Sequence, residues 1–203
     1  MTIKVILFAA FGTLCQVTSP RRPFERLARQ VPDPVQFTRG VMTESLSLSQ
    51  AARRAMAPLS REELAVLEQD LQAELASIEL FPEVPAVCHQ LRASGLRLAV
   101  LSNLAAPYAP AVEARLPTGF EWCGWSSALG FAKPDPRLYE LACRALTVTP
   151  DEVLMVGNNR IADINGARAC GMQAAWLRRQ AKLSVSEPWL AHLGELPCQL
   201  SGC

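Results

Sequence analysis

Four short apolar runs, each ending in a polar or glycine-bearing loop, set the strongest limit on how this chain can fold. Residues 5–8 (Val-Ile-Leu-Phe), 96–101, 153–156 and 173–177 are rich in β-branched and aliphatic side chains and read as buried strands. Helical stretches separate the later ones. Residues 84–93 end near Gly95, residues 135–146 carry Pro136 in their first turn, and residues 161–170 close at Gly171, the usual residue of a left-handed helix end. Thr149-Pro150-Asp151-Glu152 reads as a short capped turn before the third run. Strands alternating with helices pair in parallel through right-handed crossovers and leave ligand sites at their carboxyl ends. The expected fold class is therefore α/β, a Rossmann-like doubly wound parallel sheet.

That alternation is interrupted once. Pro20, Pro23, Pro32 and Pro34 open a stretch with helical periodicity and few strand formers. Within it Ser60 and Glu63 form a capping box, and Leu64, Leu67, Leu71 and Leu75 follow at spacings of three and four. The expected domains are an α/β core of residues 1–15 plus 81–203 and a small helical cap of residues 16–80, inserted after the first strand. A chain of 203 residues can bury one core plus such an appendage. A cap over the strand ends can cover a site and exclude water.

Charge and cysteine use narrow the partners. A formal net charge of +1 gives no electrostatic reason to expect nucleic acid or an anionic membrane. No apolar run approaches the roughly 20 residues that span a bilayer, and the apolar N-terminal run is too short for a signal-peptide core. Seven cysteines (15, 88, 123, 143, 170, 198 and 203) lack the paired spacing of a zinc site or disulfide framework. They read as thiols in a reducing compartment, so a cytoplasmic home is expected.

Chemistry concentrates in four loops. Phe8-Ala9-Ala10-Phe11-Gly12-Thr13-Leu14 resembles motif I of the haloacid dehalogenase superfamily, written hydrophobic-Asp-x-(Asp or aromatic)-Gly-Thr-Leu. Leu101-Ser102-Asn103 is similar to motif II, the segment from Gly130 through Lys133 to Pro136 to motif III, and the segment from Val156 through Asn158 and Asp163 to Arg168 to motif IV. All four occur in the family's order, which makes the resemblance specific. It implies a hydrolase of small phosphate esters or 2-haloacids, in which an aspartate attacks phosphorus or a halogen-bearing carbon to form an ester that water cleaves. A transferring phosphoryl group needs donors and a fixed cation. The resemblance assigns hydroxyls to Thr13 and Ser102, an amide to Asn103, and the point charge to Lys133. Asp163 would complete the acidic group that holds Mg2+ in the family's phosphatases. Taken singly, Thr13 reads equally as a turn residue, Ser102-Asn103 as a helix cap, Lys133 as a solvated lysine, and Asp163 as a helix-dipole partner. Their joint order argues for a site.

Three positions depart from the pattern or select within it. Ala9 stands at the nucleophile position, and a methyl group can neither attack nor ligate. Phe11 occupies the general acid/base position of the phosphatases, where an aromatic resembles the haloacid dehalogenases. Asn158 replaces the first motif IV aspartate, so a metal site of Asp163 and Asn158 is expected to be weak or absent. Arg39 is a candidate clamp for a substrate carboxylate. The expected ligand is a small anionic metabolite, and turnover as written is expected to collapse. Ala9 reads equally as a deliberate substitution and as the mark of a natural pseudoenzyme. A second reading is a non-enzymatic binding module for an anion or a protein partner, contacted through the helix of residues 60–78 or the Trp122-Cys123-Gly124-Trp125 segment. A third is a relic without a ligand.

Overall fold

A computed structural model describes residues 2–179 and 189–201. Its strands are β1 (Val5–Phe8), β2 (Cys15–Val17), β3 (Ile78–Leu80), β4 (Arg97–Ser102), β5 (Phe120–Trp125), β6 (Val153–Gly157) and β7 (Gln173–Trp176). Five form one all-parallel sheet in the order β5-β4-β1-β6-β7. β1 is central, and the chain builds outward first through β4 and β5, then on its other side through β6 and β7. This reversal beside β1 is the switch point at which open α/β sheets hold ligands. The expected architecture is present.

Alternation along β1 divides the core. Ile6 and Phe8 point to one face, with Val84, Val87, Cys88 and Leu91 of α5 (Val84–Ala93) and with Leu190, Leu193 and Leu196. Val5 and Leu7 point to the other, against Leu138, Tyr139, Ala142 and Leu146 of α8 (Pro136–Leu146). Every residue of β1 is buried, so apolar side chains on both faces keep the strand in register.

A third cluster belongs to the inserted segment. It comprises α1 (Pro23–Ala28), α2 (Pro34–Thr43), α3 (Leu48–Arg54) and α4 (Arg61–Ala76). Leu67 and Leu71 of the expected stripe are buried there, joined by Leu27, Phe37, Val41 and Leu48. Both α3 and α4 open with a capping box, at Ser47/Gln50 and Ser60/Glu63. The insertion does not begin or end as helix. Cys15–Val17 pairs antiparallel with Ile78–Leu80, so a two-stranded ribbon joins the helical unit to the core. Three-residue strands are too short to give a readable alternation, and the sequence offered no sign of them.

Two other differences have physical causes. The stretch expected to be a plain helix from 161 to 170 starts as a π-helical turn (Arg160–Asn165) and becomes α9 (Gly166–Ala169). The Tyr139 hydroxyl takes the Ala162 carbonyl, and the Gly166 N–H bonds Ile161 O five residues back. The Trp122–Trp125 segment lies in β5, at the edge of the sheet. Trp125 is buried with Nε1 donating to Glu113 at 2.5 Å, and Trp122 is half-buried, packed over Gly124.

The six described cysteines carry no disulfide. Burial pushes the Cys15 thiol up to about 12, from an ordinary value of 9.0. Stability from the buried neutral thiol is fully present below pH 9 and is lost as pH climbs through that raised value, because only the unfolded chain can ionise. We expect urea unfolding free energy to decline above pH 9 by about 1.4 kcal/mol per pH unit for this one group. In Cys15→Ala the decline should be shallower, and equal slopes for the two chains would refute the assignment.

Candidate active site

Phe8, the last residue of β1, lies in register with Val100 of β4 and Val156 of β6. The chain therefore leaves the sheet at three adjacent points, carrying Ala9–Thr13, Ser102–Asn103 and Gly157–Asn159. Ala9 N–H donates to Val156 O at 2.9 Å, prolonging the ladder, and the Ala10 carbonyl then accepts from Thr13, Leu14 and Cys15. This tight turn needs Gly12, whose φ is +75° and whose missing Cβ would sit 2.3 Å from the Asn158 amide. Across the gap Ser102 Oγ accepts the Ala10 N–H at 3.3 Å.

The loop before α8 brings in the fourth segment, which starts from no strand. Asn103 Nδ2 donates to Lys133 O and its Oδ1 accepts from Lys133 N, both at 2.8 Å. With the main chain held, Lys133 Nζ donates to Leu101 O and to Asp163 Oδ1, each at 2.6 Å. The second Asp163 oxygen accepts from Asn159 N at 2.9 Å. Lys133 and Asp163 are 6% and 2% exposed, so neither is a solvated surface charge. Burial holds the Lys133 ammonium below its ordinary pKa, against the opposing pull of Asp163. Close approach requires Gly157, since a Cβ there would lie 2.3 Å from the Asp163 carboxylate.

Thr13 is fully buried, and its hydroxyl has no hydrogen-bond partner. An ammonium has three donors, of which Lys133 uses two in these contacts. These contacts thus leave one lysine N–H and the Thr13 hydroxyl without an acceptor, both buried. Ala9 is buried and apolar at the end of β1. A divalent cation fits this donor set poorly. Asp163 already neutralises Lys133, Asn158 is a neutral exposed amide, and no group of three His, Cys, Asp or Glu exists among the described residues.

Phe11 packs edge-on to Tyr108, with ring centres 5.8 Å apart, and lines a recess of about 230 Å3 that also touches Asn103. Arg39 sits on the helical insertion, with its charge felt by Asp135 at the start of α8. It is exposed on α2 and lines a separate cavity of about 390 Å3 with Arg54 and Glu44, sharing no lining residue with that recess. The larger cavity contains none of the four-loop residues.

Two contributors were not foreseen. Asn159 caps the π-helical turn through Ile161 N and Ala162 N while its own N–H holds Asp163, a role only the Asn159-to-Asp163 spacing hints at. Arg179 donates to Thr13 O at 2.8 Å and Gly12 O at 3.3 Å. It also ion-pairs with Glu83 at 2.5 Å and stacks over Phe81. Nothing in the tail sequence marks it, because its partners lie from about half to most of the chain away.

A model of haloacid dehalogenase-like hydrolases matches residues 3–171. The chain is 31% identical over 194 residues to an (S)-2-haloacid dehalogenase of Pseudomonas sp. (strain YL), covering 87% of this chain and 83% of that one. A phosphoserine phosphatase of Thermus thermophilus is 39% identical over 102 residues, which span only 49% of this chain and 41% of the relative. Among solved structures, a 2-haloacid dehalogenase of Pseudomonas syringae pv. Tomato DC3000 superposes with a TM-score of 0.71 over 99% of both chains at 20% identity, a likeness of fold.

Removing one member of a buried ion pair strands the other. Lys133→Met should cost roughly 3–5 kcal/mol of unfolding free energy, since Asp163 would keep a buried, unneutralised charge. Lys133→Met combined with Asp163→Asn should recover much of that loss. Urea titration of the three chains measures both effects, and a Lys133→Met chain as stable as the parent would remove the pair from the account.

Proposed function

Because the chain belongs to the haloacid dehalogenase-like hydrolase family, we propose that it is a small-anion-binding hydrolase scaffold whose covalent step is blocked at Ala9. The observation that carries this reading is Ala9 itself, at the end of the central strand beside the Ser102 and Asn158 loops. An attacking carboxylate there would form the ester with phosphorus or carbon; a methyl group forms none. Removing a covalent nucleophile costs several orders of magnitude in rate.

What remains suits an anion. Loss of a carboxylate beside Lys133 removes repulsion against incoming negative charge. The third Lys133 N–H and the unpartnered Thr13 hydroxyl supply donors, and the Asn103 grip on Lys133 keeps that ammonium in position. The helical unit acts as the cap, shielding the strand ends from water.

Within the family we assign the scaffold to the 2-haloacid side. An aromatic Phe11 leaves no carboxylate to act as the phosphatase acid/base, and Asp163 is neutralised by lysine instead of being free for Mg2+. The (S)-2-haloacid dehalogenase relative also aligns over most of both chains. Free cysteines suit a reducing, cytoplasmic setting. No helix among the described residues is long and apolar enough to cross a membrane. A second reading, a binding module without turnover, is favoured by the departure at Asn158, which reversion of residue 9 leaves in place.

Ala9→Asp tests both. We expect the variant to release halide from a short 2-haloacid without Mg2+, at a rate raised by roughly three orders of magnitude or more. Release of phosphate from an aryl phosphate, only with Mg2+, would move the chain to the phosphatase side. A folded variant silent on both would leave the binding module.

A further inference from the structure

We infer that the recess beside Phe11 selects an aryl or compact branched-alkyl group on the anion bound at the strand ends. The inference rests on the anion-site reading above and names the organic part of the ligand. At about 230 Å3 the recess is smaller than the roughly 300–1,000 Å3 of a drug-sized site, so it suits one ring or a short branched chain.

Its walls are largely aromatic and aliphatic. Phe11 and Phe24 flank Tyr108 at ring-centre distances of 5.8 and 6.1 Å, and Val17, Met42, Leu104 and Ala105 add aliphatic surface beside the polar Arg22, Glu25, Glu74 and Asn103. Edge-to-face packing of this kind extends readily to a further ring. Met42 adds an adaptable thioether from α2.

Three of the polar side chains that line the recess, Glu74, Tyr108 and Asn103, are already hydrogen-bonded. Glu74, 6% exposed on α4, accepts the backbone N–H groups of Arg21 and Arg22 on Oε2 at 2.5 and 2.6 Å. Its Oε1 accepts the Tyr108 hydroxyl proton at 2.6 Å. The Asn103 amide is taken at both ends by Lys133. A polyol entering the recess would lose its hydrogen bonds to water and find few replacements, whereas an aryl group loses nothing of that kind. Glu74 therefore neutralises polarity within a hydrophobic pocket.

Charged side chains also line the recess. Glu74 holds Arg22 in the left-handed region, with φ 55°, and its guanidinium is 63% exposed with only a 3.7 Å pairing to Glu25. A non-glycine residue kept in that region stores strain. Arg22 and Glu25 both line the recess and are both exposed, so its charged side chains carry both signs while the apolar ones receive the ring.

Two-dimensional NMR of the full chain separates the recess from the anion site. Benzyl alcohol, a neutral aryl probe, should shift the signals of Met42, Phe24 and Tyr108, and glycerol should not. Phenylphosphonate should shift these together with Ala10 and Ser102, and bind about ten- to a hundredfold tighter than methylphosphonate. Met42→Trp, which fills the recess, should abolish the benzyl alcohol shifts and level the two phosphonates. The inference is overturned if benzyl alcohol leaves the recess signals unmoved, if glycerol moves them equally, or if the aryl preference survives Met42→Trp. Should methylphosphonate fail to move Ala10 and Ser102 while benzyl alcohol still moves the recess, the anion site falls and the aryl recess stands.

Discussion

The buried contact between Lys133 and Asp163 ties together stretches of chain that the sheet alone would leave as separate loops. Parallel pairing of β1 with β4 and β6 delivers Ala9, Ser102 and Gly157 to one edge. It cannot deliver Lys133, which arrives on the loop ahead of α8. That residue is captured by the Leu101 carbonyl, the Asn103 amide and the Asp163 carboxylate. Desolvating an ammonium and a carboxylate is costly, and the arrangement persists because both Asp163 oxygens and two of the three Lys133 donors find partners. The two glycines that let the loops approach, Gly12 and Gly157, follow from the same crowding.

Such a pair also changes what the site can be. A carboxylate held by lysine on one oxygen and by a backbone N–H on the other is a poor anchor for a divalent cation. On the reading proposed above, it braces a cation that faces an anion, at strand ends that carry Ala9 and no attacking carboxylate.

A second buried carboxylate, Glu74, links the helical unit to the core. It reaches from α4 to the backbone of Arg21 and Arg22 and to Tyr108 of α6 (Tyr108–Glu113), whose ring faces Phe11. The lining of the recess and the attachment of the insertion are thereby one structure. Little of this was legible beforehand. Glu74 sits in a helix whose visible signal was its leucine stripe, and a buried glutamate among surface-patterned neighbours has no sequence mark. The β2–β3 ribbon was equally silent, for want of length. The four loops, by contrast, were readable through their resemblance to the family's four motifs, taken in order.

Local chemistry, written residue by residue, determined the alternation of strand and helix, the capped helices of the insertion, and the alanine methyl group just past the first strand. These depend on neighbours within a few positions, where periodicity and capping act. Tertiary packing alone decided that Arg39 faces a different cavity from Phe11, that Arg179 braces the Gly12 turn, and that Tyr139 widens the helix carrying Asp163. The Arg179 and Tyr139 contacts join residues 166 and 23 positions apart. Their energies depend on distance and desolvation in the folded state, which no local pattern encodes.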